Sequence, residues 1–216
     1  MCTYTKSLME NNRHWALEQS SIISQPLLKN VMQQTPNTLW IGCSDSRVPP
    51  ELITQKTLGE LFVHRNIANQ FKGCDLNINS VLEYAIVQLQ VDHIVVCGHY
   101  RCGGVQAVLE NTLKGVTEQW LDNLSILYKK NQNLFSNYSN KQTWDALCEL
   151  NVIKQVYDLL SSPTYISASQ NNHNLLVHSM IYDIRSGQLN DLMLSSSNGD
   201  HFHQQCQLSG YQYELS

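Results

Sequence analysis

Two short apolar runs, about fifty residues apart, each end abruptly in residues able to hold a metal, and this pairing constrains the fold more than any other feature. The first is Trp40-Ile41-Gly42-Cys43-Ser44-Asp45-Ser46-Arg47. The second is Ile94-Val95-Val96-Cys97-Gly98-His99-Tyr100-Arg101-Cys102-Gly103-Gly104. Short, strongly β-prone runs read as buried strands. In open α/β sheets, ligands gather where strands end and the chain turns away. Cys43, Asp45, His99 and Cys102 are therefore expected to converge at the ends of two neighbouring strands.

Two thiolates, an imidazole and a carboxylate suit zinc, which takes S, N and O ligands tetrahedrally. Structural zinc sites are usually closed by four Cys or His ligands, whereas the fourth candidate here is a carboxylate. That ligand is harder and more easily displaced. Arg47 stands two residues beyond Asp45 and is positioned to draw it off as an ion pair. With Asp45 bound, the metal is closed. With Asp45 on Arg47, three protein ligands leave a position for water, the catalytic pattern, in which the water's pKa falls to about 7.

A length of 216 residues predicts one domain over 1–216. The 42% apolar content is enough for a substantial core, and the net charge of −4 gives no basic footprint for nucleic acid. No apolar run approaches the length of a membrane span. The stretch Met1 to Glu10 lacks the apolar core of a signal peptide, so the chain reads as soluble and cytoplasmic. Seven cysteines, an odd number without a secretory signal, argue for metal binding or burial over a disulfide framework.

The hydrophobic pattern alternates strands with helices. Residues 1–35 read as a helical arm with Leu8, Trp15, Leu17, Ile22, Leu27 and Val31 as anchors, a second helix starting at Pro26. This arm either covers its own sheet or packs on another subunit. Strands are expected at 39–43, 61–64, 91–97, 175–182 and 189–194. Helices are expected after the Asn77 cap, from Gly103, after Thr117 and after Thr143, with 131–142 a loop. Arg185-Ser186-Gly187 closes a hairpin, and 196–216 reads as a polar, mobile tail. The fold class is α/β: a mostly parallel central sheet flanked by helices, with an edge hairpin and the N-terminal arm.

Cys43-x-Asp45-x-Arg47 followed by His99-x-x-Cys102 resembles the β-class carbonic anhydrases. The likeness extends to Gly42-Cys-Ser-Asp-Ser-Arg-Val-Pro49, to the run from Gly59 to Asn69, and to Cys97-Gly-His-Tyr-x-Cys-Gly-Gly104. The resemblance implies reversible hydration of carbon dioxide to bicarbonate by zinc-bound hydroxide, with one Zn2+ per chain. It implies an Asp45–Arg47 pair in the open site, and a homodimer or dimer of dimers. Trp40, Arg65 and Tyr182, with Val48 and Glu51 beside them, match the subgroup in which bicarbonate binds off the metal and favours the closed form. An arginine with an indole and a phenol donor suits a small oxyanion.

Rival readings keep part of this pattern. Carbon disulfide and carbonyl sulfide hydrolases resemble the same class and share its ligand set. A non-catalytic zinc-binding module would need a permanently closed site. A cysteine-nucleophile phosphatase is disfavoured, because Cys43-x3-Arg47 is too short for a phosphate loop and leaves His99-x-x-Cys102 unexplained. His201-x-His203-x-x-Cys206 reads as incidental spacing, His64 as a structural histidine, and Arg101 as a cation without an assigned role.

Overall fold

Five strands form one sheet in the order β2-β1-β3-β4-β5. They are β1 (Thr38–Cys43), β2 (Leu61–Asn66), β3 (His93–His99), β4 (Leu176–Asp183) and β5 (Gln188–Ser196). This computed structural model describes residues 2–22, 33–171, 174–209 and 213–215. The first four strands run parallel, and β5 returns antiparallel at the edge. Parallel strands covered on both faces carry continuous apolar runs. So Leu39, Trp40, Ile41, Ile94, Val95, Val96 and Cys97 are all buried. The expected hairpin is present, with Gly187 in the left-handed region at φ 71°.

The helices are α1 (Thr3–Ile22), α2 (Pro50–Ile53), α3 (Leu76–Glu83), α4 (Gly103–Leu109), α5 (Val116–Trp120), α6 (Asp122–Lys130), α7 (Asn140–Leu160), α8 (Pro163–Ala168) and α9 (Gly199–Leu208). The stripe of Ile78, Leu82, Ala85 and Ile86 is buried as its spacing requires. Its cap, however, is Asp75, whose carboxylate accepts the Asn77 N–H, and not Asn77 itself. After Glu83 the helix widens into a π turn over Tyr84–Gln88.

Helix α7 lies against β3 and β4 and buries Leu147, Leu150, Val152, Ile153 and Val156. It begins at Ser139, not Thr143, because Ser139 and Gln142 form a reciprocal capping box. The stretch expected as a loop therefore holds a 3₁₀ turn over Gln132–Phe135 and the first turn of α7. Gly98 admits the helix closely: a Cβ there would lie 2.5 Å from Val152 Cγ2.

Two expectations need correction. The segment read as a polar, mobile tail contains α9, capped by Asn198, with Phe202 and Cys206 buried on one face. Two apolar residues four apart are enough to dock an otherwise polar helix. Beyond it, Glu214 exchanges backbone hydrogen bonds with the Asn131 side chain, and Leu215 is buried. The arm is helical over Thr3–Ile22, but residues 33–37 are not, and the helix expected at Pro26 lies outside the described residues. The side chains of Tyr4, Leu8, Met9, Trp15 and Leu17 are exposed. Among the described residues, no helix is long and apolar enough to cross a membrane.

Docking of α9 makes a direct expectation for stability. Replacing the fully buried Phe202 by alanine should cost about 3–5 kcal/mol in denaturant unfolding, as core phenylalanine truncations do. A mobile tail would give no measurable change.

Candidate metal centre

β1 and β3 run parallel side by side, with Gly42 level with Cys97, so both strands deliver their last residues to the same edge. Cys43 closes β1 and His99 closes β3. Cys102 follows one tight turn later, as the extended residue that caps α4. Cys43, His99 and Cys102 are buried, and their ligand atoms lie within 4.8 Å of one another. Among the described residues, this is the cluster able to hold a metal. Of the four residues expected to converge, Cys43, His99 and Cys102 come together in this cluster.

The donor chemistry fits a tetrahedral cation. The two sulfurs are 4.0 Å apart. Metal–sulfur bonds of about 2.3 Å at tetrahedral angles would place them about 3.8 Å apart. His99 Nδ1 lies 3.0 Å from the Tyr100 carbonyl, which can only accept, so the proton sits on Nδ1. Nε2 is left with its lone pair facing the sulfurs, buried and without a hydrogen-bond partner. Second-partner bonds of this kind orient metal-ligating histidines. The hydrogen bond from Cys102 holds the Cys43 thiol well below the ordinary thiol range, with His99 adding to the effect. Cys102 is pushed up by the same bond and by burial. A cation among them satisfies both sulfurs and the imidazole at once.

Asp45 stands beside this group and is turned from it. Its Oδ1 accepts from Arg47 N and Nε, both at 2.9 Å, and its Oδ2 accepts from Arg47 Nη2 at 2.7 Å. Oδ2 is also 3.8 Å from His99 Nε2. The carboxylate is thus held by the guanidinium at the margin of the ligand cluster. Arg65 fixes the loop from behind, donating to the carbonyls of Cys43 at 2.7 Å and Asp45 at 2.5 Å. Trp40 and Tyr182 share a separate apolar cluster with Val95, Cys97, Val63 and Met180. Val48 is buried, and Glu51 is exposed in the first turn of α2. Of the residues read as an oxyanion pocket, Arg65 is thus engaged with backbone, and the two aromatics pack together nearby.

Five other described histidines have partners of their own. His93 bonds His178 at 3.1 Å, and His178 bonds Ser195 at 2.8 Å, at the opposite end of β3. His201 bonds Ser196, and His203 bonds Gln207. His64 approaches Asn66 at 3.4 Å.

Sequence reasoning missed the network beneath the loop. Asn151 and Gln155 are buried on α7, bonding Gln70, the Ala68 carbonyl and the Phe71 N–H. Tyr100 donates to Glu149 at 2.5 Å. Polar residues four apart inside an apolar helix were the available signal.

Comparison with known proteins follows the same pattern. The Carbonic anhydrase family profile matches residues 38–189. A carbonic anhydrase of Emericella nidulans is 38% identical over 186 residues, covering 86% of this chain and 82% of that protein. The Coccomyxa β-carbonic anhydrase, solved with acetazolamide, superposes with a TM-score of 0.83 at 34% identity, covering 94% of this chain and 96% of the other. A β-carbonic anhydrase of Sordaria macrospora, one of two described as tetrameric, gives 0.81 at 35% identity, covering 90% and 98%.

The Arg47 bonds pull the Asp45 carboxyl down to about 2. The pair therefore stabilises the fold fully above the ordinary carboxyl range near 4. That contribution fades as pH falls from about 4 through about 2. Carbon-13 NMR of the metal-free protein should show the Asp45 carboxyl titrating near pH 2. A midpoint near 4 would mean that the guanidinium does not hold it.

Proposed function

The chain belongs to the carbonic anhydrases, in their β class, and from that premise we propose that it hydrates carbon dioxide reversibly to bicarbonate and a proton, using zinc held by Cys43, His99 and Cys102. The observation that carries this reading is the buried thiol–imidazole–thiol cluster with a carboxylate turned off it onto Arg47. Zinc with three protein ligands supplies a water that ionises near pH 7 and a Lewis acid for the substrate's oxygen.

The chain's own residues do the rest. The thiolates of Cys43 and Cys102 neutralise the charge of the cation, and His99 adds an oriented neutral donor. Asp45, ionised and bonded to Arg47, is an acceptor only. It takes a hydrogen bond from the attacking O–H and so turns that oxygen's lone pair toward the carbon. One C–O bond forms as one C=O π bond of carbon dioxide opens, its electron pair passing to that oxygen to give bicarbonate, and the proton lost from the attacking water goes to solvent and buffer. Arg47 also competes with the metal for the carboxylate. Release of Asp45 from Arg47 toward the ligand cluster would exclude water from the site; this is the on/off switch.

Arg65 supports a second layer of control by bicarbonate, with Trp40, Tyr182, Val48 and Glu51. Its guanidinium holds the carbonyls on both sides of the ligand loop. An oxyanion drawing that guanidinium toward Trp40 and Tyr182 loosens the Asp45 carbonyl and favours closure. Homodimers, or dimers of dimers, are the working assembly. The exposed apolar residues of α1 and the tetrameric Sordaria relative support this. Two buried thiols 4.0 Å apart suit a reducing compartment such as the cytoplasm.

Stopped-flow carbon dioxide hydration on protein of known zinc content, from about pH 6.5 to 9, tests this reading around the pKa of bound water. Activity should rise with pH at one zinc per chain, and added bicarbonate should depress its low-pH limb. Tyr182→Phe should flatten that bicarbonate dependence; an unchanged dependence removes Tyr182 from control. Full zinc without hydration at any pH would contradict the reading.

A further inference from the structure

Cys102 sits at the end of a turn that the backbone does not adopt readily. Arg101, just before it, has φ of 60°, in the left-handed region disfavoured for residues with a side chain. Something outside the turn must hold it. Tyr100 is fixed on one side, its N–H donating to the Tyr182 carbonyl at 3.0 Å and its hydroxyl to Glu149. On the other side, the Cys102 carbonyl accepts two hydrogen bonds. One is the helical bond from Gln106 N–H at 3.0 Å. The other comes from the Trp144 indole N–H at 3.1 Å, from a residue 42 positions away.

The same indole holds Arg101. The guanidinium carbon lies 5.1 Å from the Trp144 ring centroid. Its Nε is 3.9 Å from Asp145 Oδ1, the next residue on α7, and both atoms are buried without a hydrogen-bond partner. Cation–π contact gains strength when it is desolvated. Trp144 therefore touches the strained residue through its ring and the ligand-bearing residue through its N–H. Together these contacts fix both ends of the Arg101–Cys102 peptide.

We propose that Trp144 is the positioning residue for the metal ligand Cys102, and that Arg101 is the cation that clamps the turn onto it. This rests on the reading of Cys43, His99 and Cys102 as metal ligands. It gives Arg101 a role: its charge makes a left-handed turn tolerable beside a ligand, where a glycine would leave the turn free to open.

A matched control exists in the same molecule. Trp120 also donates its indole N–H to a carbonyl, that of Ile67 at 2.9 Å, and carries Lys72 5.1 Å over its ring. Ile67 supplies no ligand. Trp120→Phe and Trp144→Phe thus remove the same kind of bond, once away from a ligand-bearing residue and once on one.

The test is cobalt(II) and zinc binding by chelator competition, read with the visible spectrum of the cobalt protein. Trp144→Phe should weaken binding about tenfold or more, the range for loss of a partner that orients a ligand. Its thiolate-to-cobalt bands should shift. Trp120→Phe should keep the wild-type affinity and spectrum. Arg101→Gly, which suits the backbone, should also weaken binding. Wild-type binding by Trp144→Phe or equal losses in Trp120→Phe would each overturn the proposal. If Trp144→Phe does not fold by circular dichroism, Arg101→Gly decides alone, and unchanged affinity there overturns it. Failure of the wild-type chain to bind either metal stoichiometrically would instead remove the metal reading itself.

Discussion

Two thiols and an imidazole, buried within 4.8 Å of one another, are the constraint on which the site depends. A polar group taken out of water must find a partner, and an imidazole nitrogen without one is costly. His99 Nε2 has no hydrogen-bond partner, while Nδ1 is committed to the Tyr100 carbonyl. Cys43 and Cys102 lie 4.0 Å apart, sulfur to sulfur. One cation bound at all three atoms resolves the whole set. The surrounding fold is arranged to deliver these atoms: parallel pairing of β1 and β3 for Cys43 and His99, and the cap of α4 for Cys102.

Electrostatics at the margin then decide whether such a site stays open. Asp45 is within reach of the cluster, 3.8 Å from His99 Nε2, yet Arg47 binds it in a fork with both oxygens engaged. Forked arginine–carboxylate pairs are geometrically demanding and strong for an ion pair. Arg47 itself is about half exposed, so solvent and salt weaken its hold. A carboxylate held by a screened arginine beside a ligand cluster is the element on which the proposed switch turns. Arg65, bonded to the carbonyls of residues 43 and 45, sets the backbone that carries this carboxylate.

Local chemistry made much of this readable from the chain. The strands, the Cys43-x-Asp45-x-Arg47 run and the His99-x-x-Cys102 run each depend on residues within a few positions of one another, so local spacing exposes each of them. The parallel sheet was legible in the unbroken apolar runs at 39–43 and 94–97. The capping box at Ser139 and Gln142 was also local, but Thr143 competed as a cap type. The helix at Gly199–Leu208 was hidden because only Phe202 and Cys206 mark its buried face among polar neighbours. The contacts under the metal loop were not legible, since Tyr100 meets Glu149 and Cys102 meets Trp144 across more than forty residues. Periodicity identifies which face of α7 is buried; it does not say which loop that face will hold.

Zinc K-edge X-ray absorption on the zinc-loaded protein at about pH 8.5 tests the central claim most directly. Two sulfurs at about 2.3 Å and two nitrogen or oxygen scatterers at about 2.0–2.1 Å are expected. At that pH the Asp45→Asn variant should give the same shell, because the fourth scatterer is solvent while Arg47 holds the carboxylate. A shell of three or four sulfurs, or a shell that loses a light atom in Asp45→Asn, would contradict it.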